Sequence, residues 1–152
     1  MKFYLDSCCY SRPYDDQTQE KIHMEGEAVL AIINECGQNG DEITGSYALD
    51  LEIDQINDIE KREKIKYFYD KTITSKIKYS ETVFKRAKEL SEQTNIRTLD
   101  RFHLSFADIS GVDIFLTTDN KLEKTGSKLN LKMKITNPLK YIMEVMQNES
   151  DS

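Results

Sequence analysis

Two stretches, DIFLTTD at residues 113–119 and KFYLD at residues 2–6, decide how the fold is read. Each is a short apolar run that reaches an aspartate at its end. Residues Asp113 to Thr118 have the continuous apolar character of a strand covered on both faces, as in a parallel sheet. Lys2 to Leu5 reads as a second buried strand that ends at Asp6.

Working outward, Ile43–Ser46, Ile73–Lys76 and Lys132–Ile135 are further short strand candidates. Helical patterns lie between them. In Glu20–Cys36 the apolar positions Ile22, Val29, Ile32, Ile33 and Cys36 fall largely on one stripe, and Gly37 and Gly40 mark its end. Tyr47 to about Ile59 reads as helix, and a second helix continues to Tyr69. Ser80 caps a helix through Leu90 that turns Val83, Ala87 and Leu90 inward. Thr98 is the expected cap of the helix carrying Asp100 and His103, and Pro138 opens a final helix at its first turn. Residues Ser11–Asp16 read as a loop. Strands that alternate with helices give an α/β fold with a parallel sheet and right-handed crossovers. No internal repeat or linker divides the chain, so one domain is expected over residues 1–147, with NESDS at 148–152 as a disordered, frayed tail.

The chain of 152 residues is long enough to bury a real core, and its 38% hydrophobic and 32% charged residues suit a globular protein. No apolar run approaches the roughly 20 residues that span a bilayer. An acidic residue interrupts the N-terminal stretch where a signal peptide needs apolar side chains. Three cysteines, Cys8, Cys9 and Cys36, cannot pair completely and point to free thiols in a reducing compartment. A cytoplasmic protein is expected. The net charge of −6 disfavours nucleic-acid binding as a whole, but its distribution is uneven. Residues 15–60 hold thirteen acidic residues and one basic one, whereas residues 61–152 hold eighteen basic and thirteen acidic. Lys61, Arg62, Lys64, Lys66, Lys71, Lys76 and Lys78 crowd one segment, and Lys121, Lys124, Lys128, Lys132 and Lys134 another. If the two meet in space they form a phosphate-attracting flank; otherwise they are solvated helix surface.

Ligands of open α/β sheets bind outside the carboxyl ends of the strands, where Asp6 and Asp119 project. Two more acids stand close to such ends: Glu52, in SYALDLEI after the strand that Ser46 closes, and Asp100, in the first turn of its helix. Each alone has a bland explanation as a helix cap, a turn residue or compensation of a helix dipole. Four together on one sheet edge cannot all stay ionised without a counter-charge, and a divalent cation supplies one. Oxygen-only ligands favour magnesium or manganese, and no cysteine–histidine spacing offers a zinc site.

The set YLD at Asp6, SYALDLE at Glu52, LDRFHLSFA at Asp100 and FLTTD at Asp119 resembles the PIN domain family, over Lys2 to about Met143. The first loop, SRPYDDQTQE, and the TNPL segment resemble small single-domain prokaryotic members, including VapC-like toxins. Arg101 stands where the family usually has alanine. The resemblance implies a three-layer α/β/α fold with a central parallel sheet of about four to five strands. It also implies metal-dependent (Mg2+ or Mn2+) ribonuclease activity at Asp6, Glu52, Asp100 and Asp119, an RNA substrate, an antitoxin partner and a homodimer. Ser7, Thr117 and Thr118 would support the acids, and Arg12 and Arg101 would contact the scissile phosphate. His103 is placed by the resemblance as a packing residue. His23 has no evident partner. Cys8 and Cys9, beside Asp6, read as small half-buried residues rather than a thiol pair with chemistry of its own.

Two other readings compete. One is a catalytically idle module with this fold that binds RNA or a protein partner, for instance through the acidic helix at Glu20–Cys36. The other is phosphoryl transfer through an aspartyl nucleophile at Asp6, as in haloacid-dehalogenase-like phosphatases. That chemistry needs a second aspartate two residues on, where this chain has Cys8.

Overall fold

The computed structural model describes residues 1–151. Five short strands form the centre: β1 (Lys2–Leu5), β2 (Glu42–Ser46), β3 (Ser75–Ile77), β4 (Ile114–Leu116) and β5 (Lys134–Thr136). All pair in parallel, in the order β3-β2-β1-β4-β5. Phe3 is opposite Ile43 on one side of β1 and Ile114 on the other. The helices are α1 (Ser7–Ser11), α2 (Glu20–Asn39), α3 (Tyr47–Asp54), α4 (Ile59–Thr72), α5 (Glu81–Gln93), α6 (Thr98–Ile109), α7 (Asn120–Ser127) and α8 (Pro138–Asp151).

Successive strand residues point to opposite faces, so Phe3 and Tyr4 report what covers each side of the sheet. Phe3 packs edge-on against Tyr141 of α8, and Tyr4 packs edge-on against His103 of α6. Helices therefore cover both faces. Tyr4 also stacks on its cross-strand neighbour Phe115, with ring centres 5.1 Å apart. This covering explains the continuous apolar character of β1 and β4: Phe3, Tyr4, Leu5, Phe115 and Leu116 are all buried. Gly45 in β2 admits Tyr69 of α4, because a Cβ there would lie 2.4 Å from the Tyr69 hydroxyl.

The strands and most helices lie where the sequence puts them. β3 and β5 each start two residues later than expected, at Ser75 and Lys134. Ser80 caps α5 by accepting from the Val83 N–H, and Ser46 caps α3 by accepting from the Leu49 N–H. Thr98, expected as a cap, is instead the first residue of α6; Arg97 precedes it with extended backbone and no side-chain cap bond. The expected loop after β1 is mostly helical, because Asp6 caps a one-turn α1 that leads into a 3-10 turn at Arg12–Tyr14. Helix α8 continues to Asp151, across most of the stretch read as a frayed tail; Ser152 lies outside the described residues.

The two lysine-rich segments do not meet. The first lies on α4 and β3 and the second on α7 and β5, and the strand order puts β3 and β5 at opposite edges of the sheet. Several of these lysines instead pair with acids of the acidic half: Lys61 with Asp15, Lys66 with Asp54 and Lys76 with Asp50. Among the described residues no helix is long and apolar enough to cross a membrane.

Candidate active site

The chain runs outward from β1 through β2 to β3, then returns to place β4 on the other side of β1. The crevice beyond the carboxyl ends of β1 and β4 is the switch point of the sheet, where such folds bind ligands. Asp6 directly follows β1 and is buried. Its Oδ1 accepts the Ser7 N–H at 2.8 Å and its Oδ2 accepts the Thr117 hydroxyl at 2.9 Å. The Cys8 thiol stands 3.5 Å from the same Oδ2. One aspartate thus starts α1 and ties β1 to the end of β4.

Asp100 comes from the first turn of α6, opposite Asp6, and is also buried. His103, one turn further along α6, is fully buried. Ligand atoms of Asp6, Asp100 and His103 all lie within 4.8 Å of one another. Glu52 arrives from α3 and closes the group. Its Oε1 accepts from His103 Nε2 at 3.0 Å and also takes a short hydrogen bond from the Ser7 hydroxyl. The other imidazole nitrogen, Nδ1, is 2.6 Å from the Tyr4 hydroxyl, which is 2.6 Å from Ser46 Oγ. The histidine therefore keeps an N–H toward Glu52 in either protonation state, and the Tyr4 and Ser46 hydroxyls rotate to complete the chain. His103, expected as a packing residue, belongs to the site.

Arg97 was not singled out by the sequence, yet it bridges two of the acids. Its Nε and Nη2 donate to Asp100 Oδ2 and Oδ1, each at 3.0 Å, and Nη2 also donates to Glu52 Oε2 at 2.9 Å. A bidentate fork of this kind is the strong form of an arginine–carboxylate pair. A signal for both missed residues was present. Arg97 and His103 each stand three residues from Asp100, on either side of it, a spacing at which helical side chains reach a common neighbour.

The electrostatics follow from burial and these partners. Burial pushes the Asp6 carboxyl above its ordinary range, and the charges of Glu52 and Asp100 add to that, although His103 and Thr117 oppose it. Burial works against Glu52 too, but hydrogen bonds from His103, Ser7 and Arg97 outweigh it and hold the carboxyl down at about 2. His103 is raised: burial opposes its charge, while Glu52, Asp6 and Asp100 favour it. Arg97 is held firmly charged, chiefly by its hydrogen bond to Asp100.

The remaining expected residues fall into three groups. Asp119 is exposed and caps α7, its Oδ1 accepting from the Lys121 and Leu122 N–H groups at 2.9 and 3.1 Å. It lies outside the converging Asp6–Asp100–His103 group and is linked to it by its own N–H, which donates to Thr117 Oγ1 at 3.1 Å. Ser7 and Thr117 do contact the acids, whereas Thr118 gives its backbone N–H to the Cys8 sulfur. The two arginines expected at a phosphate are engaged elsewhere. Arg12 binds Glu25 and Asp15, and Arg101 binds the Ile96 carbonyl and the Thr98 hydroxyl. Cys8, Cys9 and Cys36 are free thiols.

The donor set fits a hard divalent cation. Carboxylate oxygens of Asp6 and Asp100 converge with His103 in a buried space, Glu52 stands beside them, and oxygen is the preferred donor of magnesium and manganese. His103 Nε2 points to Glu52 and its Nδ1 to Tyr4, so the imidazole orients the carboxylates around the ion. Asp6 and Asp100, whose oxygens lie within 4.8 Å of one another and of His103, would hold it, with Glu52 joined to them through its bond to His103.

A five-stranded parallel sheet in this order, with acids gathered at its switch point, defines a PIN-like α/β fold. No protein-family model matches the chain, and no curated protein matches it in sequence. Solved structures match in fold. A chain of VapBC2 from Rickettsia felis, bound to a DNA fragment from its promoter, superposes with a TM-score of 0.63 at 14% identity, covering 90% of this chain and 98% of that one. FitAcB from Neisseria gonorrhoeae gives a TM-score of 0.55 at 14% identity, with 90% and 97% of the two chains covered. FitAB bound to an IR36 DNA fragment gives 0.56 at 14% identity, with 90% and 95% covered. At this identity the likeness is one of fold.

Proposed function

We propose that this chain is a metal-dependent endoribonuclease that hydrolyses RNA phosphodiesters, and that it is the toxin of a toxin–antitoxin pair. The observation that carries the nuclease reading is the convergence of Asp6, Asp100 and His103 within 4.8 Å, with Glu52 hydrogen-bonded to the histidine, at the switch point of the sheet. Two buried carboxylates with a third beside them outnumber the one arginine that bridges two of them, and folds retain such arrangements where chemistry needs them.

A Mg2+ or Mn2+ ion held by Asp6, Glu52 and Asp100 would lower the pKa of a bound water and offset the charge on the leaving oxygen. The chain's own groups do the rest. Glu52 stays ionised across the physiological range and is aimed by His103 and Ser7, which suits it to orient the attacking water. Thr117 and the Ser7 N–H lock Asp6 in one rotamer. Tyr4 and Ser46 fix the imidazole that fixes Glu52. Asp119 is the outer acid of the set, coupled to Asp6 through Thr117. The toxin reading, with an antitoxin partner and a homodimeric state, rests on the resemblance in sequence motifs and on the likeness in fold to VapBC2 and FitAB. Domain limits of 1–147 and a cytoplasmic location belong to the same reading.

The test is cleavage of labelled single-stranded RNA with Mn2+ or Mg2+, comparing wild type, Asp100→Asn and an EDTA control. Metal-dependent cutting by wild type alone is expected. Equal cutting by the variant would assign the activity to another site or to a contaminant. Cation binding and RNA binding without cutting would favour the idle binding module instead.

A further inference from the structure

The acid cluster is not left to repel itself in the absence of a cation, because one arginine of the same chain neutralises part of it. Arg97 uses both oxygens of Asp100 and one oxygen of Glu52. These are the oxygens a cation held by those two residues would need. A guanidinium fork and a metal ion compete for these carboxylates, since two cations drawn to the same oxygens in a confined space repel each other.

The two basic partners of Glu52 differ in whether they can leave. His103 is fully buried, held on its far side by Tyr4. The Arg97 side chain is 64% exposed, and it springs from the residue just before α6 rather than from within the helix. A side chain this exposed can withdraw into water, which solvates its guanidinium. Arg101, one turn on, is a contrast: it is spent on the Ile96 carbonyl and the Thr98 hydroxyl and touches none of the acids.

Resting on the metal-dependent reading of the site, we infer that Arg97 is a built-in counter-ion that competes with the divalent cation for Glu52 and Asp100 and is expelled when the cation binds. The metal-free protein is then a latent, internally paired state, and the cation must displace an arginine as well as water. Arg97 stabilises the metal-free fold and weakens cation binding by the same contacts, as linkage requires.

The experiment is calorimetric titration of the full chain with Mn2+, together with thermal unfolding with and without Mn2+. It compares wild type, Arg97→Gln, Arg97→Lys and Arg101→Gln. Arg97→Gln should bind Mn2+ about tenfold more tightly than wild type, a coupling of ordinary size. Without metal it should melt roughly 3 °C lower. Arg97→Lys keeps the charge but loses the fork, and should fall between the two; it also serves if the glutamine variant does not fold. Arg101→Gln removes the same charge one turn away and should change Mn2+ affinity less than about twofold. Unchanged or weaker Mn2+ binding by both Arg97 variants, in a protein whose wild type binds the ion, overturns the inference and leaves the metal site standing. Equal tightening by Arg97→Gln and Arg101→Gln also overturns it, because general charge then explains the effect. Failure of wild type and all variants to bind Mn2+ overturns the metal reading itself. Binding by the Arg97 variants alone supports the inference in its strongest form.

Discussion

Two buried acid centres in this small domain behave in opposite ways. Glu25 of α2 is 1% exposed, and each of its oxygens has one partner: Arg12 Nε at 2.9 Å and Asn137 Nδ2 at 2.6 Å. Beyond it the charges alternate, from Arg12 to Asp15 and from Asp15 to Lys61. The network joins α2, the turn after α1, α4 and the segment before α8, and it has the form of structural glue. At the switch point, Arg97 bridges Glu52 and Asp100, and His103 lies between Glu52 and Asp6. Burial alone does not separate the two centres. The balance of carboxylates against cations does: matched charge stabilises a fold, and an excess of carboxylate marks a place where another cation is wanted.

The comparison breaks most sharply if single substitutions fail to divide into these two kinds. Asp100→Asn should lower metal-dependent RNA cleavage by at least roughly a hundredfold, about 3 kcal/mol of barrier. Its circular dichroism should match wild type. Glu25→Ala should do the reverse. It strands Arg12 and Asn137 around a buried gap and should cost about 3 kcal/mol in urea unfolding. Whatever activity the folded fraction retains should still depend on metal. A Glu25→Ala protein as stable as wild type would remove the structural half of the contrast.

Smaller effects sharpen it. The Glu52 carboxyl titrates at about 2 in the fold against an ordinary value of 4.5. Its stabilising contribution is present above the unfolded value and is lost as pH falls from there towards the folded one. That contribution is on the order of 2 kcal/mol. Between pH 6 and pH 3, wild type should therefore lose more stability than Glu52→Gln, read from urea midpoints. Asp6 shifts the other way. Its raised carboxyl favours the fold while protonated, and that advantage is lost as pH rises through the folded value. Asp6→Asn retains a side chain able to cap α1 and removes the excess charge. At pH 7 without metal it should be more stable than wild type by about 1 kcal/mol. The difference should shrink in acid and reverse in saturating Mn2+, where only wild type gains from the ion.

Much of the fold was legible because its signals are local. β1 and β4 are read from apolar runs, α5 from the Ser80 cap and its inward stripe, and α8 from Pro138. Asp6 was legible for a related reason, since a carboxylate at the end of a buried strand is marked by its position, whereas Glu52 and Asp100 were marked only by standing near a strand end or a helix start. Arg97 was not singled out, and His103 was read as a packing residue. An arginine before a helix and a histidine within it have many ordinary roles, and only the approach of Glu52 on α3 gives these two their shared partner. The partners of Arg12 and Arg101 were hidden for the same reason: side-chain reach does not reveal that Arg12 meets Glu25 or that Arg101 meets the Ile96 carbonyl.

By itself the sequence determined the α/β class, the strands that end in acids and the identity of those acids, because hydrophobic periodicity and strand ends are written in neighbouring residues. The tertiary structure decided what those acids face. Strand order separated the two lysine-rich segments to opposite edges, kept Asp119 at the rim as a cap, and drew Asp6, Glu52 and Asp100 around one arginine and one histidine. Charge balance in a site is a property of distances between elements far apart in the chain, and only packing sets those distances.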